Sequence, residues 1–201
     1  GKVTETRGRE GCEGWQLERA RGDSLRDPTF LGQTIAPSTE IESFLQPLVE
    51  EADRIRERST GVRARDSFRR NFHRENALGN LIADMIKNAN GTSLAFHNNG
   101  GLRKNLSRGT IRYGDVYDIL PFDSRLAKIQ LSGRELKRLI EIGVSGRFEG
   151  YTWSGLKATL RDCRIESLEI QGAPVNDDTM YQVSTTDYLA TGGSGVSELD
   201  L

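Results

Sequence analysis

The chain's clearest candidate for chemistry is a short polar turn that follows an apolar stretch. Asn98, Gly100, Gly101 and Arg103 come directly after the apolar residues 94–96, which are typical of a buried strand. Two glycines let backbone N–H groups approach a ligand closely, because no Cβ is in the way. The arginine adds a planar charged fork that matches anions. The sequence predicts an anion pocket here, with an ordinary turn as the alternative.

Two aromatic residues elsewhere in the chain could complete such a site. Phe122 follows Pro121, whose ring restricts the backbone, and Tyr188 precedes the glycine-rich residues 191–195. An exposed ring offers a flat face for stacking, which contributes about 1–3 kcal/mol per base in nucleic-acid complexes. The alternative for both rings is burial in the core.

Composition excludes several classes of function. The 28 Lys and Arg residues nearly balance the 29 Asp and Glu residues, so the basic surplus typical of proteins that bind nucleic acid polymers is missing. No apolar run approaches the roughly 20 residues that a membrane-spanning helix needs. The two cysteines and two histidines match no spacing typical of metal ligands. We therefore expect no metal site in this chain.

Hydrophobic periodicity predicts the elements that position these residues. Apolar residues at helical spacing predict a helix that ends near Arg58 and is kinked or restarted at Pro47. Asn76 is placed to cap a second helix. Ser132 and Glu135 form a capping box at the start of a third. Strands are predicted at residues 94–98, 126–131, 156–160, 165–170 and 181–185. Because strands and helices mix without strict alternation, we predict an α+β fold.

Four stretches, in their order and spacing, resemble the C-terminal domain of the 5′-nucleotidases. These are two-domain metallophosphoesterases that dephosphorylate nucleotides outside the cytoplasm. The resemblance extends over about residues 68–195 and implies a layered helix–sheet–sheet–helix sandwich. The stretches that carry it are residues 74–84, 98–103, 120–122 and 187–195.

The resemblance implies a nucleotide-binding site. Phe122 and Tyr188 would hold the base between their rings, and Arg103 would bind the phosphate. A surface ion pair, worth under about 1 kcal/mol, is the alternative role for this arginine. The other residues at the family's substrate-binding positions are Asn98, Gly100, Gly101 and Ser194.

Two positions depart from the family pattern. Ser194 stands where the family usually has an acidic residue that binds the ribose hydroxyls, so the charge-assisted hydrogen bonds of a carboxylate are lost. Phe72 stands where the family often has a further phosphate-binding arginine, for which Arg70 or Arg74 could substitute. Both departures bear on nucleotide specificity.

The resemblance also predicts the domain organisation and the role of each domain. We expect a flexible extension over residues 1–37, a linker helix over residues 38–61, and a 5′-nucleotidase C-terminal-like domain over residues 62–201. Divalent metal ions would belong to an N-terminal metallophosphatase domain outside this sequence, which would be this domain's partner. The chain alone would then need no cofactor of its own and be inactive. An extracytoplasmic location (periplasmic, cell-surface or secreted) is implied by the family only.

The leading hypothesis is therefore the substrate-recognition domain of a 5′-nucleotidase-like phosphoric monoester hydrolase, with a nucleotide or nucleoside as ligand. Two alternatives remain open. The chain could be a non-catalytic module that kept the fold to bind another ligand or a protein. It could also serve a phosphoesterase for a non-nucleotide substrate, which would need Arg103 but not the two aromatic rings.

Overall fold

The computed structural model describes the chain in two units. Residues 1–53 form one compact unit, and residues 54–201 form the other. Within these units the described parts are residues 3–7, 13–17, 29–30, 33–34 and 36–199.

The first unit contains two antiparallel strand pairs. These are β1 (Val3–Arg7) with β2 (Glu13–Leu17), and β3 (Thr29–Phe30) with β4 (Gln33–Thr34). All four strands lie in the stretch for which the sequence analysis expects a flexible extension. The Val and Thr residues of β1 are good strand formers, and pairing with β2 satisfies the backbone groups along one edge of β1. The rest of residues 1–35 lies outside the described part.

Helix α1 (Thr39–Arg56) begins close to the predicted start but ends earlier than predicted. Pro47 lies inside it, and the helix continues through this residue. The apolar side chains of the helix are all exposed, as for example Phe44 and Leu48. No helix among the described residues combines the length and the apolar character that a membrane span requires.

The second unit holds the elements that surround the candidate site. In chain order they are β5 (Ser59–Ala64), α2 (Ala77–Asn90), β6 (Leu94–Asn98), β7 (Gly109–Arg112), α3 (Tyr113–Ile119), β8 (Leu126–Ser132), α4 (Gly133–Val144), β9 (Tyr151–Ser154), β10 (Leu156–Arg161), β11 (Arg164–Ile170), β12 (Ala173–Pro174), β13 (Met180–Thr186) and α5 (Asp187–Ala190). Short 3₁₀ turns follow β6 at Asn99–Gly101 and follow α5 at Gly193–Glu198.

A four-stranded mixed sheet in the order β8-β13-β6-β9 forms the centre of this unit. Strand β13 runs parallel to β6, with Val183 opposite Leu94, whereas β8 and β9 are antiparallel to their neighbours. Strands β10, β11 and β12 form a separate antiparallel sheet, and β5 pairs with β7. This mixture of parallel and antiparallel pairing confirms the predicted α+β class.

Strand β6 is buried along its whole length, because hydrophobic clusters cover both of its faces. Leu94 and Phe96 belong to a cluster that also contains residues of α4 and β11. Ala95 points to the other face and joins a cluster built on α2. Side chains on a strand alternate between faces, so one short strand connects both halves of the core. The two hydrophobic clusters of the core therefore meet at β6.

Local signals predicted both helix starts correctly. The Asn76 side chain accepts a hydrogen bond of 2.8 Å from the Gly79 N–H, and Gly91 ends α2 in the left-handed conformation. The capping box at Ser132 and Glu135 is present at the start of α4. The sequence analysis assigned no strand to residues 151–154, although β9 is the direct neighbour of β6.

Candidate functional site

A cavity of about 370 Å³ opens where β6 ends. Four segments that are distant in sequence line it: the end of β6 with the turn that follows, the loop after α3, the segment before β9, and the junction of β13 with α5. Its lining residues are His97, Asn98, Gly100, Gly101, Arg103, Phe122, Ser124, Glu149, Thr186 and Tyr188. All of the predicted site residues except Ser194 are among them.

Ser194 lies next to the cavity lining, in a left-handed conformation with φ of 52°. Its hydroxyl oxygen accepts a hydrogen bond of 3.1 Å from the Asn98 amide and lies 3.4 Å from the Tyr188 hydroxyl. Its carbonyl accepts a hydrogen bond from the Tyr151 hydroxyl. Non-glycine residues rarely adopt this conformation, and such strain concentrates at functional sites.

The two aromatic side chains at the cavity are exposed, so neither ring belongs to the core. Phe122 is 54% exposed and Tyr188 is 53% exposed. The Tyr188 ring packs closely against Gly193. A Cβ added at this glycine would lie 2.5 Å from the ring, so a larger residue would clash with the ring. The glycine-rich loop therefore fits closely against one of the two rings.

The turn after β6 is held in place by Asn99, which is fully buried. Its side-chain oxygen accepts hydrogen bonds of 2.9 Å from the Asn76 amide and 2.6 Å from the Thr152 hydroxyl. Its side-chain amide donates to the Arg74 carbonyl at 3.0 Å. These bonds connect the start of α2, the turn and β9. The sequence analysis did not single out Asn99.

Arg103 is exposed at the cavity, and its own turn orients it. Its backbone N–H donates to the Ile119 carbonyl at 2.8 Å, and its Nη1 atom lies 3.3 Å from the Gly100 carbonyl. Within residues 36–199, no carboxylate forms an ion pair with this guanidinium. The ion-pair alternative therefore finds no support among these residues.

Glu149 is the main site residue that the sequence analysis missed. Its Oε1 atom accepts hydrogen bonds from the Asn98 amide, at 3.0 Å, and from the Ser194 hydroxyl. Burial raises the pKa of this carboxyl, but the hydrogen bonds it accepts outweigh burial and hold the pKa below its usual value. Glu149 is therefore ionised at neutral pH and supplies negative charge beside the neutral Ser194.

His97 contributes an uncharged side chain to the lining of the cavity. Burial lowers the pKa of this imidazole from 6.5 to about 4, more than the backbone of Asn98 raises it. The side chain is therefore neutral at pH 7. It also borders a second, largely apolar cavity of about 280 Å³ on the α2 side, which shares Phe122 with the first cavity.

The two candidate substitutes for the missing arginine occupy different places. Arg70 donates from its Nη1 atom to the Leu102 carbonyl at 3.0 Å, so it contacts the turn that carries Arg103. Arg74 instead borders another cavity, of about 730 Å³. Phe72, Arg70 and Arg74 are all absent from the residues that line the site cavity.

The described residues do not fit a divalent metal ion. Among them, no three side chains of His, Cys, Asp or Glu come together as metal ligands would. We therefore assign no metal-dependent step to residues of this part of the chain.

The fold and the site define an α+β domain with a cavity at the end of its central strand, lined by two exposed rings and an arginine. The family model described as "5′-nucleotidase, C-terminal domain" matches residues 55–200. The chain belongs to this family. Relatives of this chain include 5′-nucleotidases, which are hydrolases, and the family implies a phosphoesterase domain N-terminal to this one in its full-length proteins.

Two relatives come from Bacillus subtilis (strain 168). Endonuclease YhcR is 32% identical over 120 residues, which cover 57% of this chain and 10% of that protein. The trifunctional nucleotide phosphoesterase protein YfkN is 31% identical over 142 residues, which cover 62% of this chain and 10% of that protein. The chain thus spans about a tenth of the length of these two relatives.

A solved structure of similar fold is the 5′-nucleotidase precursor from Thermus thermophilus. It superimposes with a TM-score of 0.67 at 26% identity. The match covers 84% of this chain and 40% of that protein. The likeness extends over most of this chain but less than half of the solved protein.

We predict that Asn99→Ala destabilises the second unit. The substitution leaves the Asn76 amide, the Thr152 hydroxyl and the Arg74 carbonyl without their present partner. A buried polar group without a partner costs about 1–3 kcal/mol, so we expect a total loss of roughly 2–5 kcal/mol in the free energy of unfolding. Urea denaturation followed by circular dichroism measures this quantity.

The matched control is Asn105→Ala. Asn105 is exposed and accepts one hydrogen bond, of 2.9 Å, from the Arg70 backbone. Its loss should cost less than about 1 kcal/mol, because water can replace it. Equal effects of the two substitutions would show that the buried asparagine does not hold the turn.

Proposed function

We propose that this chain is the substrate-recognition domain of a 5′-nucleotidase-like phosphoric monoester hydrolase. In this proposal a nucleotide binds with its base between Phe122 and Tyr188 and its phosphate at Arg103. The observation that carries the proposal is the single cavity at which these three side chains meet. The segments that bring them there are far apart in sequence but converge at the end of β6.

The aromatic residues support a flat ligand ring. Both rings are about half exposed although apolar side chains are normally more stable when covered, so a stacked base would remove their faces from water. Stacking tolerates any base because every base has a π-face. The two rings therefore explain binding of nucleotides as a class and leave the choice of base to other contacts.

The charge at the cavity supports an anionic group on the ligand. Arg103 projects donors that no carboxylate of residues 36–199 occupies, and a guanidinium can bind two phosphate oxygens at once. The neighbouring Gly100 and Gly101 allow a phosphate to approach the backbone. An aromatic pair beside an arginine thus matches the two ends of a nucleotide.

The reaction itself is proposed to take place in another domain. Hydrolysis of a phosphate ester by metal-activated water needs a cluster of metal ligands, and the described residues of this chain lack one. The chain would supply affinity and orientation for the substrate, and its partner domain the metal ions. An extracytoplasmic location belongs to the same proposal and rests on the family resemblance.

A calorimetric titration with AMP and with adenosine tests the site. We expect Arg103→Ala to weaken AMP binding about 10-fold to 100-fold, because a hydrogen bond to a charged group contributes about 1.5–3 kcal/mol. Adenosine binding should be nearly unchanged. Phe122→Ala and Tyr188→Ala should each weaken both ligands by about 5-fold to 100-fold, since stacking contributes about 1–3 kcal/mol.

The controls are residues of the same type outside the cavity. Phe72→Ala and Tyr117→Ala remove rings that are 45% and 60% exposed, and Arg134→Ala removes a guanidinium on α4 that pairs with Asp178. None of the three should change AMP affinity. If the ring variants at the cavity also leave AMP binding intact while Arg103→Ala abolishes it, the site binds phosphate without contacting the base, which favours a phosphoesterase for a non-nucleotide substrate. No binding of AMP or of adenosine at millimolar concentration would contradict the proposal for this chain.

We predict that the purified chain hydrolyses neither AMP nor p-nitrophenyl phosphate. Release of phosphate should stay at background with magnesium, manganese, cobalt or zinc, because the metal ligands are proposed to lie in the partner domain. Alkaline phosphatase in the same assay shows that hydrolysis would be detected. Chelator-sensitive phosphate release that follows the chain through two different columns would refute the prediction.

A further inference from the structure

We propose that Glu149 is the residue through which the site recognises hydroxyl groups of its ligand. The pocket would then select nucleotides that carry both sugar hydroxyls over dideoxynucleotides. This inference rests on the proposed function, because it assigns the sugar contact within the same cavity. It also gives this role to a residue on the segment before β9, which the sequence analysis did not consider.

Within residues 36–199, the hydrogen bonds that other side chains donate to Glu149 all go to one oxygen of its carboxylate. Both of its hydrogen bonds to side chains, from Asn98 and from Ser194, go to the Oε1 atom. Among the described residues, no side chain donates to the Oε2 atom. A carboxylate accepts hydrogen bonds with both oxygens. Since Glu149 also lines the cavity, its second oxygen can accept from a ligand.

Arg103 and Glu149 line one cavity without forming an ion pair with each other. Gly100 lies between them: its carbonyl is 3.3 Å from the Arg103 Nη1 atom, and a Cβ added to it would lie 2.8 Å from the Glu149 Oε1 atom. The lining of the cavity therefore carries a cation and an anion, both close to Gly100. A ligand satisfies both when it places an anion at Arg103 and neutral O–H donors at Glu149.

The sign of the charges fixes the orientation of the ligand. A phosphate at Glu149 would meet a like charge, which is unfavourable, whereas sugar hydroxyls can donate to a carboxylate. The Tyr188 ring and Ser194 adjoin the same carboxylate, since the Ser194 hydroxyl contacts both side chains. A nucleotide whose base stacks on Tyr188 would therefore have its sugar near Glu149.

The alternative is that Glu149 only ties Asn98 to Ser194. A structural role and a contact with the ligand differ in one measurable respect. If Glu149 accepts hydrogen bonds from the sugar hydroxyls, removing the hydroxyls and removing the charge of Glu149 abolish the same interaction. Their effects on the binding free energy are then not additive. If its role is structural, its loss weakens ligands with and without hydroxyls by the same factor.

The test is calorimetric titration of the complete chain with AMP and with 2′,3′-dideoxy-AMP. We expect AMP to bind about 10-fold to 100-fold more tightly, as removal of hydrogen bonds to a charged group predicts. In Glu149→Gln this ratio should fall to within about 3-fold of unity, since an amide keeps the shape but loses the charge. In the control Glu169→Gln, on β11 and outside the cavity lining, the ratio should be unchanged.

Each outcome decides the inference. An AMP preference that survives in a folded Glu149→Gln variant overturns it, because another residue must then recognise the hydroxyls. Equal binding of AMP and dideoxy-AMP by the unaltered chain also overturns it, needs no variant, and leaves the proposed function intact. If the unaltered chain binds neither ligand at millimolar concentration, the proposed function fails and this inference fails with it.

Discussion

Burial of β6 on both faces is the constraint on which the rest of the structure depends. The strand contributes Leu94 and Phe96 to one core cluster and Ala95 to the other, so its position is fixed from two sides. The polar turn of the site follows directly after the last residue of the strand, Asn98. The turn is held by hydrogen bonds on both sides: the Asn99 side chain accepts from Asn76, at the start of α2, and from Thr152 of β9. The Asn99 backbone N–H donates to the Gly150 carbonyl at 2.8 Å. A rigid core strand thus places a polar turn at a defined point of the surface.

The site combines this rigid turn with exposed side chains. Arg103 and Glu149 carry opposite charges at one cavity, and the two rings stand beside them with about half of their surface in water. The exposed rings gain little from the protein itself, and no carboxylate of residues 36–199 pairs with the Arg103 guanidinium. A ligand with a flat ring, hydroxyl groups and an anion would cover the rings and bind both charged side chains. The proposed function follows from this complementarity.

Features encoded by neighbouring residues could be predicted from the sequence. The caps at Asn76 and Ser132 are local, as is the strand followed by Gly100, Gly101 and Arg103, and each was predicted where it occurs. Contacts between distant segments could not be predicted from local patterns, and the meeting of Arg103, Phe122 and Tyr188 at one cavity was expected only from the family resemblance. Glu149 meets Asn98 across 51 positions of sequence, and no pattern around Glu149 indicates this partner.

Strand β9 was missed for a related reason, because it is four residues long and shows no clear alternation. The residues Tyr151, Thr152 and Trp153 are good strand formers bounded by glycines, which is the one signal that could have identified it. Its absence from the prediction also removed Glu149 from consideration. The loss of an acidic residue at Ser194 then suggested a weaker sugar contact, whereas the fold brings a carboxylate from another segment to this serine.

The most direct test of the account is a nuclear Overhauser experiment on the chain saturated with AMP. With phenylalanine and tyrosine selectively labelled, the adenine H2 and H8 protons should show contacts to the rings of both Phe122 and Tyr188. This result would establish that the base lies between the two rings. If AMP binds but its adenine protons contact neither ring, the site that the account describes is not where the nucleotide binds.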